Sequence, residues 1–296
     1  MSSLPYKSFA IFGAAGSIGR YVFDALHERN ASIVAITRSS SSSTSALPSA
    51  PNVKITKVEG YKNVEEVAAV LRANRIEVVI CTLSWKSDEA MYGEETALAG
   101  AARAAGVGLF VPSEYGMPTD GGPAGLWETK DNVAKHMKEI GLPSARFFTG
   151  LLFSWISGLS GYPSTGKINV VGTGKTPASW TATEDIGGFI AHVLTTLPPS
   201  ELNDRIFRIE GERLSWEDMA KRTGVPITKA EKVPADSEGL SQFCTILQRM
   251  IEEGPGSTGW DYAAKKEGAE RAGSSNSLWA GHVWKKVPGD ILTSTD

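Results

Sequence analysis

The chain has 296 residues, 41% hydrophobic and 21% charged, which is the balance of a folded globular protein rather than a disordered one. Its 30 lysines and arginines stand against 33 acids, a net charge of −3 with no basic block, so nucleic acid is not an expected partner. No apolar run is long enough for a membrane span and no leader-like segment opens the chain. The two cysteines, Cys81 and Cys244, follow no metal or disulfide spacing, so a cytoplasmic protein is expected.

Strand-like runs at 9–12, 32–37, 53–58, 76–83, 108–113 and 144–153 alternate with helical stripes. The first stripe carries Ile18, Tyr21, Val22, Ala25 and Leu26, and the second Val64, Val67, Ala68 and Leu71. An Ala-rich helix runs through about residue 105, and a further helix spans about 126–140. This alternation predicts parallel βαβ units in a doubly wound α/β sheet of the Rossmann type. It occupies residues 1–153, with a smaller C-terminal lobe at 154–296, some of whose segments return to the sheet. In that lobe, strands are expected at 167–172, 177–182 and 205–211, and Thr183 opens a helix stopped by Pro198 and Pro199. Ser215 starts a capping-box pattern, and a long helix covers roughly 237–253. The Ser-rich stretch 39–45 reads as a mobile loop.

The first strand leads into Gly13-Ala-Ala-Gly16-Ser-Ile-Gly19, and the first helical stripe follows at once. Three glycines in that context are the fingerprint of a dinucleotide-binding turn. Gly13 permits the tight turn, Gly16 lets backbone approach a phosphate, and Gly19 lets the helix pack on the strand. Ala15, Ser17 and Ile18 complete the turn, and the helix N-terminus offers N–H groups to a pyrophosphate. At the end of the second strand, where an acid would accept from a ribose 2′-hydroxyl, Arg38 stands instead. A guanidinium suits a 2′-phosphate, with Ser39 and Ser40 as added donors, so the expected cofactor is NADPH rather than NADH.

Two other patterns mimic known motifs. The stretch 172–176, Gly-Thr-Gly-Lys-Thr, lacks the earlier glycine of a phosphate-binding P-loop, Asn169 standing there, and runs into Pro177. Tyr262 and Lys266 have the Tyr-x-x-x-Lys spacing of typical short-chain dehydrogenases, but they lie too near the C-terminus for that role. His27, His136, His192 and His282 share no metal spacing and are expected on helix surfaces or flanks, so no metal is expected. No Gly-x-Ser-x-Gly elbow supports a hydrolase.

In the 126–140 helix, Lys130 shares a face with Ala134 and Met137 at about 100° per residue. Lys135 points away and Lys138 lies toward the flank. Lys130 therefore either snorkels past the core or sits in a pocket, where burial would lower its pKa toward neutrality. Leu152, Phe153, Trp155 and Trp180 are open to two readings, pocket lining or core.

The glycine turn, Arg38, Val-Pro-Ser-Glu-Tyr-Gly-Met-Pro (111–118) and Lys130 followed by Gly141-Leu-Pro resemble the NmrA-like and isoflavone-reductase-like family, atypical short-chain dehydrogenases/reductases. Segments 183–194 and 278–292 resemble it too, so the similarity spans nearly the whole chain. The resemblance implies a reductase that passes a hydride from NADPH to a small aromatic or phenylpropanoid-like substrate, with Lys130 handling the proton. It implies cofactor contacts from Thr82, Leu83, Ser84 and Lys130 toward the nicotinamide, with Phe148 and Thr149 added from the sixth strand. Ser113 and Glu114 either support the nicotinamide end or shape their loop. The same family contains regulators, which implies the alternative of a non-catalytic NADP(H) sensor acting through a protein partner. Two departures stand out. Gly150 replaces the Asn-containing segment that follows the sixth strand in family reductases, and Glu59-Gly-Tyr-Lys-Asn63 replaces an acidic turn after the third.

Overall fold

Strand β1 (Ser8–Phe12) is fully buried from Phe9 to Phe12, and it is the centre of a five-stranded parallel sheet. The order is β3 (Val53–Val58), β2 (Ser32–Arg38), β1, β4 (Val78–Cys81), β5 (Leu109–Val111). In register, Ile11 of β1 faces Ala35 on one side and Ile80 on the other. The inner strands are near-continuous apolar runs because helices cover both faces. Helices α2 (Val64–Ala73), α3 (Asp88–Ala105) and α4 (Leu126–Glu139) bury Val67, Leu71, Leu98, Ala102, Val133 and Met137 in one core with Phe12 and Phe110. Helix α1 (Gly19–Glu28) buries Val22, Phe23 and Leu26. This computed structural model describes residues 4–41 and 47–294; most of the Ser-rich stretch expected as a loop lies outside the described residues.

The chain divides into two compact units and crosses between them several times. One holds Met1–Tyr115, Thr119–Phe147 and Ile186–Phe207; the other holds Gly116–Pro118, Phe148–Asp185 and Arg208–Asp296. The expected cut after residue 153 thus falls beyond the crossing at Phe147, and most of helix α7 (Thr183–Thr196) belongs with the parallel sheet. There Phe189 packs edge-on against Phe147 and Phe207, which stack on each other at 4.9 Å.

The run 144–153, expected as one strand, is broken. β6 (Ala145–Phe148) ends at Gly150, which has φ +69°, and β7 (Leu151–Leu152) resumes on a different sheet with β9 (Ala178–Thr181) and β11 (Glu212–Leu214). A Cβ on Gly150 would lie 2.4 Å from the Ser179 carbonyl oxygen, so no side chain, asparagine included, fits there. The remaining elements of the second unit are α5 (Ile156–Leu159), α6 (Tyr162–Thr165), β8 (Ile168–Val170), α8 (Trp216–Thr223), β12 (Ile227–Lys229), α9 (Glu238–Glu253), β13 (Trp260–Asp261) and β14 (Lys266–Glu267). Strand β10 (Arg205–Arg208) pairs with β6. The Ser215 capping box is formed with Asp218.

The P-loop mimic is occupied by the protein itself. The Glu252 carboxylate accepts the N–H groups of Thr173 at 2.9 Å and Gly174 at 3.1 Å. These bonds and Lys229 outweigh the effect of its burial and hold the Glu252 carboxyl below its usual pKa. Replacing Glu252 with alanine should destabilise the protein by about 1–3 kcal/mol in chemical denaturation, because two loop donors lose their acceptor. Since the folded carboxyl titrates lower than the unfolded one, its contribution is full above the ordinary carboxylate range. It should disappear as pH falls through the depressed value, so the difference between native and variant should shrink in acid.

Candidate functional site

The C-terminal ends of β1, β2 and β4 meet at the point where strand order reverses, the position where open α/β sheets bind ligands. A cavity of about 250 Å³ lies there. Gly13 has φ +88° and turns the chain sharply, with the Gly16 N–H donating to its carbonyl at 2.9 Å. A Cβ on Gly19 would fall 2.1 Å from the Gly13 carbonyl oxygen and 2.5 Å from the Thr82 hydroxyl, so the start of α1 fits closely only without one. At Gly16 a Cβ would meet the Gly13 oxygen at 3.2 Å and the Thr82 carbonyl oxygen at 4.0 Å, a looser fit than at Gly19. The N-cap residue Ile18 has no side-chain acceptor, and no acid stands in the first turn of α1. The positive helix end is thus left for an external anion. Replacing Gly19 with alanine should weaken nucleotide binding at least tenfold in a titration and cost about 1–3 kcal/mol of stability from overpacking.

Gly13, Ala15, Gly16, Arg38, Thr82, Leu83 and Ser84 all line this cavity, so the candidate cofactor contacts from three separate loops converge. Arg38 lies with its guanidinium 5.0 Å from the centre of the Tyr61 ring, and its Nη1 is 3.5 Å from Glu94 Oε1. Ser39 is placed otherwise: its N–H and hydroxyl both donate to the Val58 carbonyl, and Ser41 takes the cavity position. Tyr61, Lys86 and Glu94 also line the cavity and were not singled out in the sequence. The only signal for Tyr61 was the turn after β3 that departs from the family.

Lys130 sits on the first turns of α4, half-buried, with Nζ donating to the Glu114 carbonyl at 2.7 Å. Among the described residues it makes no ion pair, so two of its three N–H donors are uncommitted. Burial pushes its pKa below the usual lysine value, against the opposing pull of Glu114, Glu95 and Cys81. The Glu114 carboxylate serves a different partner: Oε1 accepts from Arg146 Nε at 2.8 Å, and the Thr119 hydroxyl donates to it at 2.9 Å. Arg146 Nη2 donates to Thr119 at 2.7 Å and lies 3.5 Å from Asp131. Tyr115, next in the motif, has φ +30°, a strained value for a residue with a side chain, and its hydroxyl is anchored on the Cys81 carbonyl at 3.0 Å. Ser113 ties this loop to the cavity wall: its hydroxyl donates to the Leu83 carbonyl at 2.9 Å, and its N–H donates to buried Glu95 at 2.8 Å. Burial pushes the Glu95 carboxyl above its usual pKa. The Ser-Glu-Tyr-Gly stretch is therefore the part that holds Lys130 in place.

Phe148 and Thr149 are fully buried in the second unit, Phe148 under the Arg208 guanidinium at 5.1 Å and Thr149 with its N–H on the Gly116 carbonyl. Leu152, Phe153 and Trp180 belong to the core, whereas Trp155 is 41% exposed beside Phe243. Tyr262 lies in the turn and Lys266 on the second strand of a two-stranded hairpin, where Lys266 pairs with Asp261, rather than on the helix that spacing calls for. His282 is not on a helix; it stacks on Trp279 at 3.6 Å and contacts buried Asp185 through Nε2 at 3.0 Å. Among the described residues no cluster of metal-ligating side chains exists, and no helix is long and apolar enough to cross a membrane.

The model of the NmrA-like family matches residues 5–235. A curated relative, an oxidoreductase called BOA1 from Botryotinia fuckeliana, is 28% identical over 230 residues, 73% of this chain and 74% of its own. Among solved structures, AtPrR2 with NADP+ and (+)-pinoresinol superposes with a TM-score of 0.73 at 14% identity, covering 99% of both chains. NmrA, a negative transcriptional regulator in complex with NADP, superposes at 0.72 and 15% identity, over 98% of this chain and 95% of that one. At such identities the superpositions speak to the fold.

Proposed function

The chain belongs to the NmrA-like family, and from that premise we propose that it is an NADPH-dependent reductase acting on a small aromatic or phenylpropanoid-like substrate. Bound NADPH supplies the hydride; the protein binds the nucleotide, orients it and manages the proton. The glycine turn and the uncapped start of α1 take the pyrophosphate, and Arg38, over the Tyr61 ring, takes the 2′-phosphate. Lys130 donates the proton that balances hydride addition.

The observation that carries this reading is the state of Lys130. The nearby Glu114 carboxylate is committed to Arg146, while Lys130 holds only a backbone carbonyl and keeps two donors for a ligand. An ammonium with free donors and a pKa lowered by burial is suited to general acid work. The substrate class draws support from the likeness to AtPrR2, whose structure holds NADP+ and (+)-pinoresinol.

The likeness to the NADP-bound regulator favours a second reading, a non-catalytic NADP(H) sensor acting through a protein partner, since fold alone does not assign chemistry. One experiment separates the two: NADPH absorbance is followed with aromatic enones, benzylic ethers and quinones. The reductase oxidises NADPH with at least one class. A protein that binds NADPH tightly, oxidises none of them and distinguishes NADP+ from NADPH is a sensor.

A further inference from the structure

Strand β2 ends without the acid that reads an adenosine ribose, but the fold brings one there from another element. Glu94, on the second turn of α3, lines the same cavity as Arg38 although 56 positions separate them in sequence. Its side chain is 22% exposed, so the carboxylate faces the cavity rather than the core. Contact with Arg38 is a single N–O approach of 3.5 Å, at the limit of a hydrogen bond and without the forked geometry of a locked Arg–carboxylate pair. Arg38 has other support, the Tyr61 ring beneath it. Both groups therefore stay available to a ligand. A carboxylate accepts from ribose hydroxyls and repels a 2′-phosphate, whereas a guanidinium does the reverse.

We propose that Glu94 is a second specificity determinant of the cavity, one that accepts the adenosine ribose hydroxyls and so admits NADH beside the NADPH that Arg38 selects. The proposal rests on the reading of this cavity as a nicotinamide-nucleotide site. Glu94 and Arg38 act as alternatives: with NADPH, Arg38 turns to the phosphate and Glu94 opposes it. With NADH, the Glu94 carboxylate takes the diol while Arg38 stays on Tyr61.

Dissociation constants for NADPH and NADH, measured calorimetrically on the full chain, Glu94→Gln and Arg38→Gln, test this. The native protein should bind both nucleotides. Glu94→Gln should weaken NADH about tenfold, the scale of a lost charge-assisted hydrogen bond, while leaving NADPH as tight or tighter. Arg38→Gln should do the opposite, weakening NADPH at least tenfold and sparing NADH. If Glu94→Gln instead weakens NADPH and leaves NADH untouched, Glu94 merely steadies Arg38 and the proposal is wrong. A native protein that binds NADPH but not NADH overturns it equally. Binding of neither nucleotide would remove the cofactor reading itself, and the proposal with it.

Discussion

Replacing Lys130 with methionine should lower kcat about 100-fold or more while leaving the NADPH dissociation constant unchanged. Methionine keeps the length and apolar stem of lysine but has no proton to give. The cavity at the glycine turn is lined by other residues, so the contacts expected to dominate cofactor affinity stay in place. Stability should hold or rise slightly, because a half-buried ammonium, one of whose donors meets only a carbonyl, is costly to desolvate. Steady-state kinetics with the substrate class that oxidises NADPH, together with a nucleotide titration, check both halves. The pH profile adds a sign. A general acid works only while protonated, and burial lowers the Lys130 pKa, so native activity should fall as pH rises through a value below the ordinary lysine range. The methionine variant should lack that alkaline fall. A variant as active as the native protein would leave Lys130 a structural ligand of the Glu114 carbonyl and nothing more.

The parallel sheet and the glycine turn were legible in the sequence because both are local. Apolar runs, helical periods and three spaced glycines declare themselves within a few tens of residues, and Gly13 and Gly19 carry the steric tasks expected of them. Lys130 was legible for a related reason: a charge on a buried stripe contradicts its surroundings. What escaped notice is long-range pairing. Glu94 reaches Arg38 across 56 positions, and Arg146 reaches Glu114 across 32, and neither spacing has a local signature. Arg146 lay in a run that reads as plain strand, and only the presence of an arginine among Ala145, Phe147 and Phe148 hinted at a buried partner. The placement of Ser39 has no local signature either. Its serine neighbours are interchangeable in sequence, and its N–H bond to Val58 at the end of the β2–β3 ladder decides which of them faces the cavity.

The larger effect on stability should come from Arg146. Its side chain is 8% exposed, and it is the cation that neutralises Glu114, whose side chain is 1% exposed. Arg146→Met should therefore cost about 3–5 kcal/mol in urea denaturation, the range for a buried charge left without its partner. Asp131 suffers less, because Lys135 still reaches it at 2.9 Å. The loss is mostly the stranded carboxylate rather than the value of the ion pair. Glu114→Gln combined with Arg146→Met should then recover part of the stability that Arg146→Met alone loses, a non-additive result that a double-mutant cycle reads directly. If the two changes add, Glu114 was never held as an anion by Arg146. The same variants bear on turnover, since Glu114 grips Arg146 through its carboxylate and Lys130 through its carbonyl. Freeing the side chain loosens the backbone that positions the ammonium, and an acid misplaced by an ångström loses much of its effect. Arg146→Met should consequently lower kcat more than it raises KM, even at temperatures where the variant stays folded.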